Sequence, residues 1–128
     1  MPGSPPRPTD AELEILTVLW SLGPATVRDV YEVISRRRPA QYSTVLKFMQ
    51  IMSDKGLVRR DETQRAHIYE AARPREWTQR QLAGDLLERA FSGSAKALVM
   101  GALSARKATK EELANMRKLL DEYGKEET

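Results

Sequence analysis

Helix start and stop signals divide the first half of the chain into three short segments, and this punctuation restricts the fold more than any other feature. The first two starts are capping boxes, in which a threonine stands three residues before an acidic residue. Each stop contains glycine or proline, which end or interrupt a helix. In chain order the signals are Thr9 with Glu12, Gly23-Pro24, Thr26 with Asp29, Arg38-Pro39 and Gly56. We therefore predict three helices, the third of which runs from Gln41 to Lys55.

Two short runs that favour β-strand follow the third helix. They are Leu57–Arg60 and Ala66–Ala71, with a polar turn between them. The β-branched and aromatic residues Val58, Ile68 and Tyr69 favour a hairpin. Three short helices followed by a hairpin is the order of a winged helix-turn-helix domain.

The domain organisation follows from the composition on either side of this pattern. Residues 1–8 contain four prolines and little to bury, which predicts a disordered arm. Residues 9–72 form the predicted winged-helix DNA-binding domain, and residues 73–128 show only helical periodicity. The predicted fold is therefore mainly α-helical, with three helices and a two-stranded wing before a C-terminal helical region.

The spacing of apolar residues predicts which helix faces are buried. The predicted faces are Leu13, Leu16, Leu19 and Trp20 on the first helix, Val27, Val30, Tyr31 and Ile34 on the second, and Val45, Phe48, Met49 and Met52 on the third. The opposite face of the third helix is polar and carries Ser43, Lys47, Gln50 and Asp54.

Positive charge is concentrated in the middle of the chain. The net charge of +3 divides into −3 over residues 1–35, +5 over residues 36–67 and +1 over residues 68–128. A cluster of cations over the third helix and the hairpin is the electrostatic footprint of a nucleic-acid-binding protein. The alternative is a basic face that only contacts water, as most charge runs do.

A winged helix-turn-helix domain places its third helix in the major groove of DNA, where the first residues of that helix meet base edges. Glutamine can pair with adenine, lysine can donate to guanine, and serine or threonine can contact either base. Cations on the wing suit the phosphate backbone or the minor groove. The candidate DNA-binding residues are therefore Gln41, Tyr42, Ser43, Thr44 and Lys47 on the helix, and Arg59, Arg60, Arg65 and His67 on or beside the wing.

Several of these residues have simpler alternative roles. Thr44 can serve as a helix cap, Tyr42 can pack on the domain, and Lys47 and His67 can be surface residues without a special role. The whole domain can also be a protein-interaction module, because a fold alone does not determine a function. The clustered arginines and lysines favour DNA over a protein partner.

The C-terminal helices carry apolar faces that a winged helix does not need for its own core. Residues 74–123 supply three amphipathic helices, the second of which is predicted at Ala95–Ala105. A symmetric dimer would bury these faces and would place two reading helices on a two-fold DNA site. The alternative is a helical extension that packs back on the same chain.

The composition excludes several other functions. The absence of cysteine excludes disulfides, thiolate zinc sites and a cysteine nucleophile. The single histidine, His67, removes histidine pairs, and no nucleophile–base pair or glycine-rich phosphate loop has supporting context. We therefore predict that the protein is not an enzyme and needs no cofactor or metal. No apolar run reaches the roughly 18 residues that span a bilayer and no signal peptide is evident, which predicts a cytoplasmic protein without membrane insertion.

Four blocks of sequence, in this order and at these spacings, resemble the BlaI/MecI/CopY family, the penicillinase repressors. They are TDAELEILTVLWSLGPATVRDV (Thr9–Val30), YSTVLKFMQIMSDKGLVRR (Tyr42–Arg60), AHIYEA (Ala66–Ala71) and KALVMGALSARKATKEELANMRKLLDE (Lys96–Glu122). The resemblance implies a transcriptional repressor that acts as a homodimer on a palindromic double-stranded DNA operator. Members of the family often act with a membrane-bound sensor protease, and some are released by proteolysis of the dimerisation region.

The same resemblance implies roles for individual residues. It places Tyr42, Ser43, Thr44 and Lys47 at the start of the recognition helix, and Arg65–His67 on the wing. The residues that it places in the dimerisation region are Leu98, Val99, Leu103, Leu113, Met116, Leu119 and Leu120.

The chain departs from the family pattern in two places. Copper-responsive members carry a cysteine-rich metal-binding tail, and the absence of cysteine excludes that mode of sensing here. In the penicillinase-repressor branch the cleaved bond joins Asn and Phe, whereas the matching positions here are Gly101 and Ala102. Gly101 is either part of a site for a different protease or a position of close helix packing.

Overall fold

The computed structural model describes residues 7–126, so most of the predicted N-terminal arm lies outside the described residues. Its helices and strands are α1 Asp10–Leu22, α2 Val27–Arg37, α3 Tyr42–Lys55, β1 Val58–Asp61, β2 Ile68–Ala71, α4 Arg75–Phe91, α5 Ala95–Ala105 and α6 Lys110–Glu126. This order of three helices, a two-stranded antiparallel wing and further helices confirms the predicted winged-helix fold class. The chain forms two compact units, one that ends at Leu82 and one that begins at Ala83.

Local hydrogen bonds explain why the first helices begin and end where the sequence predicts. The Glu12 N–H donates to Thr9 Oγ1 at 3.2 Å, and the Thr9 N–H donates to the Glu12 carboxylate at 2.9 Å. Thr26 and Asp29 make the same reciprocal exchange, with both bonds at 3.1 Å. Gly56 ends α3 with a φ of 81°, in the left-handed region that favours glycine. These bonds satisfy helix-end groups that would otherwise lack a partner.

The core of the first unit lies where α1, α2, α3 and the wing meet. The predicted faces of α2 and α3 are buried, except that Tyr31 and Phe48 are half-buried at the edge. On α1 the predicted stripe was too narrow, because this helix contacts α2, α3 and β2 and therefore buries more than one stripe. Leu13 and Trp20 are only half-buried. The buried residues of α1 are Glu12, Ile15, Leu16, Val18 and Leu19.

The wing is anchored to the helices through β2. Strands β1 and β2 pair antiparallel, with Arg60 opposite Tyr69. Only residues 58–61 and 68–71 pair, so both strands start slightly later than predicted. On the other edge of β2, Tyr69 exchanges two backbone hydrogen bonds with Ala25 in the α1–α2 connection, at 2.8 and 2.9 Å. The Tyr69 side chain is 1% exposed. The position of the wing beside α3 is therefore set by backbone pairing and by a buried aromatic ring.

The first unit contains a buried carboxylate, Glu12, whose sequence pattern indicates only a helix cap. Both oxygens of Glu12 accept hydrogen bonds from Lys55 Nζ at the end of α3, at 2.9 and 3.1 Å. Burial alone would raise the pKa of the Glu12 carboxyl, but the hydrogen bonds from Lys55 and from the Thr9 N–H together bring it below its ordinary value. The ion pair thus joins the start of α1 to the end of α3.

Replacing Glu12 by glutamine is expected to lower the free energy of unfolding at pH 7 by about 1–2 kcal/mol, because Lys55 loses its partner but is one-third exposed and can be rehydrated. A lowered folded-state pKa stabilises the fold above the unfolded-state pKa of about 4.3 and loses that effect as the pH falls through the folded value. The difference between wild type and Glu12→Gln should therefore shrink at acid pH. Urea unfolding at a fixed protein concentration measures it, with exposed Glu122→Gln as the control; a difference that stays constant down to about pH 2 would contradict the assignment.

The second unit is helical and its helices bury little. The Glu112 N–H donates to Thr109 Oγ1 at 3.0 Å at the predicted start of α6, and the Ala97 N–H donates to Ser94 Oγ at 3.0 Å before α5. No residue of α5 is buried, and none is buried between residues 110 and 125 of α6. In the part of the chain that the structure describes, no helix has the length and apolar character needed to cross a membrane.

Candidate nucleic-acid interface

The start of α3 presents a polar, exposed surface. The Gln41 carbonyl accepts the Thr44 and Val45 N–H groups at 3.1 and 3.2 Å, while the Gln41 side chain makes no cap hydrogen bond. Thr44 is therefore not the cap of this helix, and its exposed side chain lies in the first turn. Ser43 and Lys47, one turn apart, are exposed on the same face. The face opposite the core can therefore meet a flat or grooved partner.

Tyr42 packs on the domain and also remains accessible. Its ring meets the Tyr31 ring edge-on, with centroids 5.7 Å apart and planes at 73°. The Arg28 guanidinium lies over the Tyr42 ring, with Cζ 5.3 Å from the centroid. The Tyr42 side chain is still 39% exposed. Its two alternative roles are therefore compatible, since the ring contacts Tyr31 and Arg28 while more than a third of the residue stays exposed.

An open groove of about 390 Å³ lies between α2, α3 and the wing. It brings together three of the predicted DNA-binding residues from separate parts of the sequence, namely Tyr42 on α3 and Arg65 and His67 in the wing. Both wing side chains are exposed. Among the described residues, Arg28 at the start of α2 also lines this groove.

Arg59 and Arg60 lie on β1. Neither is among the described residues that line the groove. Arg59 pairs across the strands with Glu70 at 3.5 Å. Arg60 pairs with Glu62 at 2.8 Å, and its interactions with the Tyr69 side chain and with Glu62 raise the pKa of the guanidinium. These two arginines are thus already held by the wing itself.

In the folded structure, carboxylates from α1 pair with some of the cations of the central segment. Arg38 donates two hydrogen bonds to the Glu14 carboxylate, at 2.6 and 3.2 Å, and these bonds lower the pKa of Glu14. Lys55 is paired with Glu12, as described above. Within residues 7–126, Lys47 and Arg65 form no ion pair. Among the described residues, the cations without an acidic partner therefore include Lys47 on α3 and Arg65 on the groove between α2, α3 and the wing.

Arg28 is the groove residue that sequence reasoning missed. The available signal was a cation in the first turn of the predicted second helix, directly before the acidic residue of the Thr26–Asp29 capping box. That signal was weak, because the segment that contains it has a net negative charge.

Among the described residues, no group of three or more His, Cys, Asp or Glu side chains is placed to hold a metal ion.

The predicted dimerisation residues are on α5 and α6 of the second unit, and none of them is buried within the chain. Val99, Leu103, Leu119 and Leu120 are exposed, and Leu98, Leu113 and Met116 are half-buried. Gly101 and Ala102 lie inside α5. A Cβ at Gly101 would stand 3.3 Å from the Phe91 ring, so this glycine permits close packing between α5 and the end of α4.

Comparison with known proteins agrees with this architecture. The penicillinase repressor family profile matches residues 8–122. Two curated relatives, each named Transcriptional regulator BlaI, come from Mycobacterium tuberculosis strains CDC 1551 / Oshkosh and ATCC 25618 / H37Rv. Each is 37% identical over 93 residues, which covers 71% of this chain and 67% of the relative. The chain therefore belongs to the penicillinase repressor family and is a transcriptional regulator rather than an enzyme.

Proposed function

We propose that the protein is a homodimeric repressor that binds a palindromic operator in double-stranded DNA. The observation that carries the proposal is the exposed polar start of α3 beside a groove lined by cations. α3 would lie in the major groove, with Gln41, Ser43, Thr44 and Lys47 toward base edges. The wing residues Arg59, Arg60, Arg65 and His67 would face the adjacent backbone or minor groove. Such a repressor acts in the cytoplasm, where the chromosome is.

The exposed apolar residues of the second unit support a dimer. α5 and α6 carry six large apolar side chains that are more than one-third exposed, namely Val99, Met100, Leu103, Leu119, Leu120 and Tyr123. Large contiguous apolar patches on a protein surface mark interaction sites. A two-fold symmetric pair of chains would cover this surface and present two copies of α3. Two-fold symmetry in the protein requires a palindromic site, with half-sites about one helical turn of DNA apart.

Replacing Lys47 by alanine is expected to weaken operator binding by about 1–3 kcal/mol, because Lys47 is exposed on the reading face and has no acidic partner in the described chain. A gel-shift titration against the promoter region of its own gene, at physiological salt, measures the effect. Lys107→Ala, which removes an exposed lysine between α5 and α6, is the matched control and should bind normally.

The competing function is a protein-interaction module that uses the same fold. It predicts that wild type binds the promoter duplex no better than random DNA, and that Lys47→Ala changes nothing. The clustered cations and the family membership favour the repressor. Equal affinity of wild type for promoter and random duplexes would overturn operator recognition.

Release from DNA by a membrane-bound sensor protease is the proposed mode of induction. A cut between Gly101 and Ala102 would remove α6 and the end of α5, and with them most of the apolar surface proposed for the dimer. This bond is inside a helix, so α5 would have to open locally before a protease could bind it in extended form. The masses of fragments recovered from induced cells would locate the cut, and an intact chain under full induction would exclude this mode.

A further inference from the structure

The groove between α2, α3 and the wing has a one-sided charge. Among the residues that the structure describes, its lining includes two arginines, a histidine and the hydroxyls of threonine and tyrosine, but no carboxylate. Its volume of about 390 Å³ is open to solvent and is sufficient for a phosphodiester group. A surface of this composition fits an anion that donates no hydrogen bonds and accepts several.

Among the described residues, Arg28 forms no ion pair with the acidic residues nearest to it in sequence. Asp29, the next residue, uses its carboxylate to accept the Thr26 N–H at 3.1 Å. Glu32 stands one turn further along α2, at the spacing that favours a helix ion pair, yet it forms none with Arg28 in the structure as described. The guanidinium lies instead over the ring of Tyr42. A guanidinium that contacts a ring through its positive charge keeps its N–H groups available for an anion.

Tyr42 is itself held in place, so that it can position the arginine. It follows Gln41 at the start of α3, and its ring packs edge-on against Tyr31 of α2. The Arg28 guanidinium thereby lies beside the reading face of α3, over the ring of Tyr42. A pre-oriented arginine loses less conformational entropy when it binds a phosphate than a mobile one does.

We propose that Arg28, positioned by the Tyr42 ring, binds a backbone phosphate of the operator in this groove, opposite Arg65 and His67. The inference rests on the proposed function, since it concerns the same DNA-binding surface. When α3 lies in the major groove and the wing contacts the neighbouring backbone, the DNA strand between them passes the groove. A phosphate contact of this kind adds affinity and sets the register of α3 without reading sequence.

Replacement of Arg28 by alanine tests the proposal in the full-length protein. Fluorescence anisotropy with promoter and random duplexes, over a series of salt concentrations, gives the affinity and its dependence on salt. We expect about a tenfold weaker affinity for both duplexes, and a salt dependence that is shallower by about 0.9 for each phosphate that the variant no longer neutralises. Ethylation of single phosphates in the promoter duplex should interfere with wild type at a position where it no longer affects Arg28→Ala.

Arg36→Ala is the matched control, because it removes one exposed arginine from the same helix at its far end, away from the groove. It should leave the salt dependence unchanged. An Arg28→Ala variant with wild-type salt dependence, or an Arg36→Ala variant with an equally weakened affinity, would overturn the phosphate site. If wild type prefers neither duplex, operator recognition fails, while the salt dependence on random DNA still decides the role of Arg28.

The positioning role of Tyr42 is tested by a double-mutant cycle. Tyr42→Leu removes the ring under Arg28, so Arg28→Ala should cost less in that background than in wild type. Tyr42→Phe keeps the ring and should preserve the full effect of Arg28→Ala. An equal effect of Arg28→Ala in all three backgrounds would show that Tyr42 does not position the arginine.

Discussion

Replacement of Leu120 by glutamate is expected to convert the protein into a monomer and to weaken operator binding at least about a hundredfold, since two linked half-site contacts become one. Leu120 is 69% exposed on α6, beside Leu119, which is also exposed. A charge placed in a buried interface costs more than the apolar contact it replaces, because nothing there can pair with it. Light scattering of the variant gives its mass in solution, and a gel shift gives its affinity.

Leu22→Glu is the matched control for this experiment. Leu22 is an exposed leucine at the end of α1, in the first unit and outside the proposed interface. This variant should remain a dimer with unchanged affinity. A Leu120→Glu protein with the mass of a dimer and full affinity would show that the interface is elsewhere, and Gly101–Ala102 would then lose its significance as a release point.

Replacement of Tyr69 by alanine is expected to lower the free energy of unfolding by about 3–5 kcal/mol, the range observed for removal of a large buried aromatic side chain. The ring of Tyr69 is fully buried on β2, where its backbone also pairs with Ala25. Removal of the ring leaves a cavity at the point where the wing joins the helices. Urea unfolding at a fixed protein concentration measures the change.

Tyr69→Phe separates the ring from its hydroxyl. This variant keeps the packing and should lose only about 1 kcal/mol, the contribution of one hydrogen bond. Because the wing carries Arg65 and His67, Tyr69→Ala should also weaken DNA binding under conditions in which the protein remains folded. Equal stability of Tyr69→Ala and wild type would contradict the anchoring role.

The helix boundaries were predictable because their causes are local. The bonds between Thr9 and Glu12, and between Thr26 and Asp29, join residues three positions apart, so the pattern is visible in any window of sequence. The left-handed conformation of Gly56 is likewise a property of one residue. The buried face of α1 was predicted less well, because its width depends on how many neighbours surround the helix.

The positions of the DNA-binding candidates were predictable, but their surroundings were not. The pattern of α3 indicates that Ser43, Thr44 and Lys47 face away from the core, and the structure shows all three exposed. The net charge of residues 36–67 counts Arg38 in the same way as Lys47, although Arg38 forms an ion pair with Glu14 on another helix. Which cations stay unpaired is decided by contacts between residues distant in sequence.

The sequence by itself therefore determined the helices and the polar face of α3, since these depend on periodicity and on hydrogen bonds within one turn. It also determined the hairpin, through its β-branched and aromatic residues, and the family, through four blocks of residues in a given order. The tertiary structure alone decided that Lys55 neutralises a buried Glu12 and that Arg28 lies over Tyr42 beside the wing. These pairs are 43 and 14 residues apart, and no local pattern specifies such partners. They form only when the packing of the core brings separate helices together, and that packing shapes the groove in which we place the phosphate.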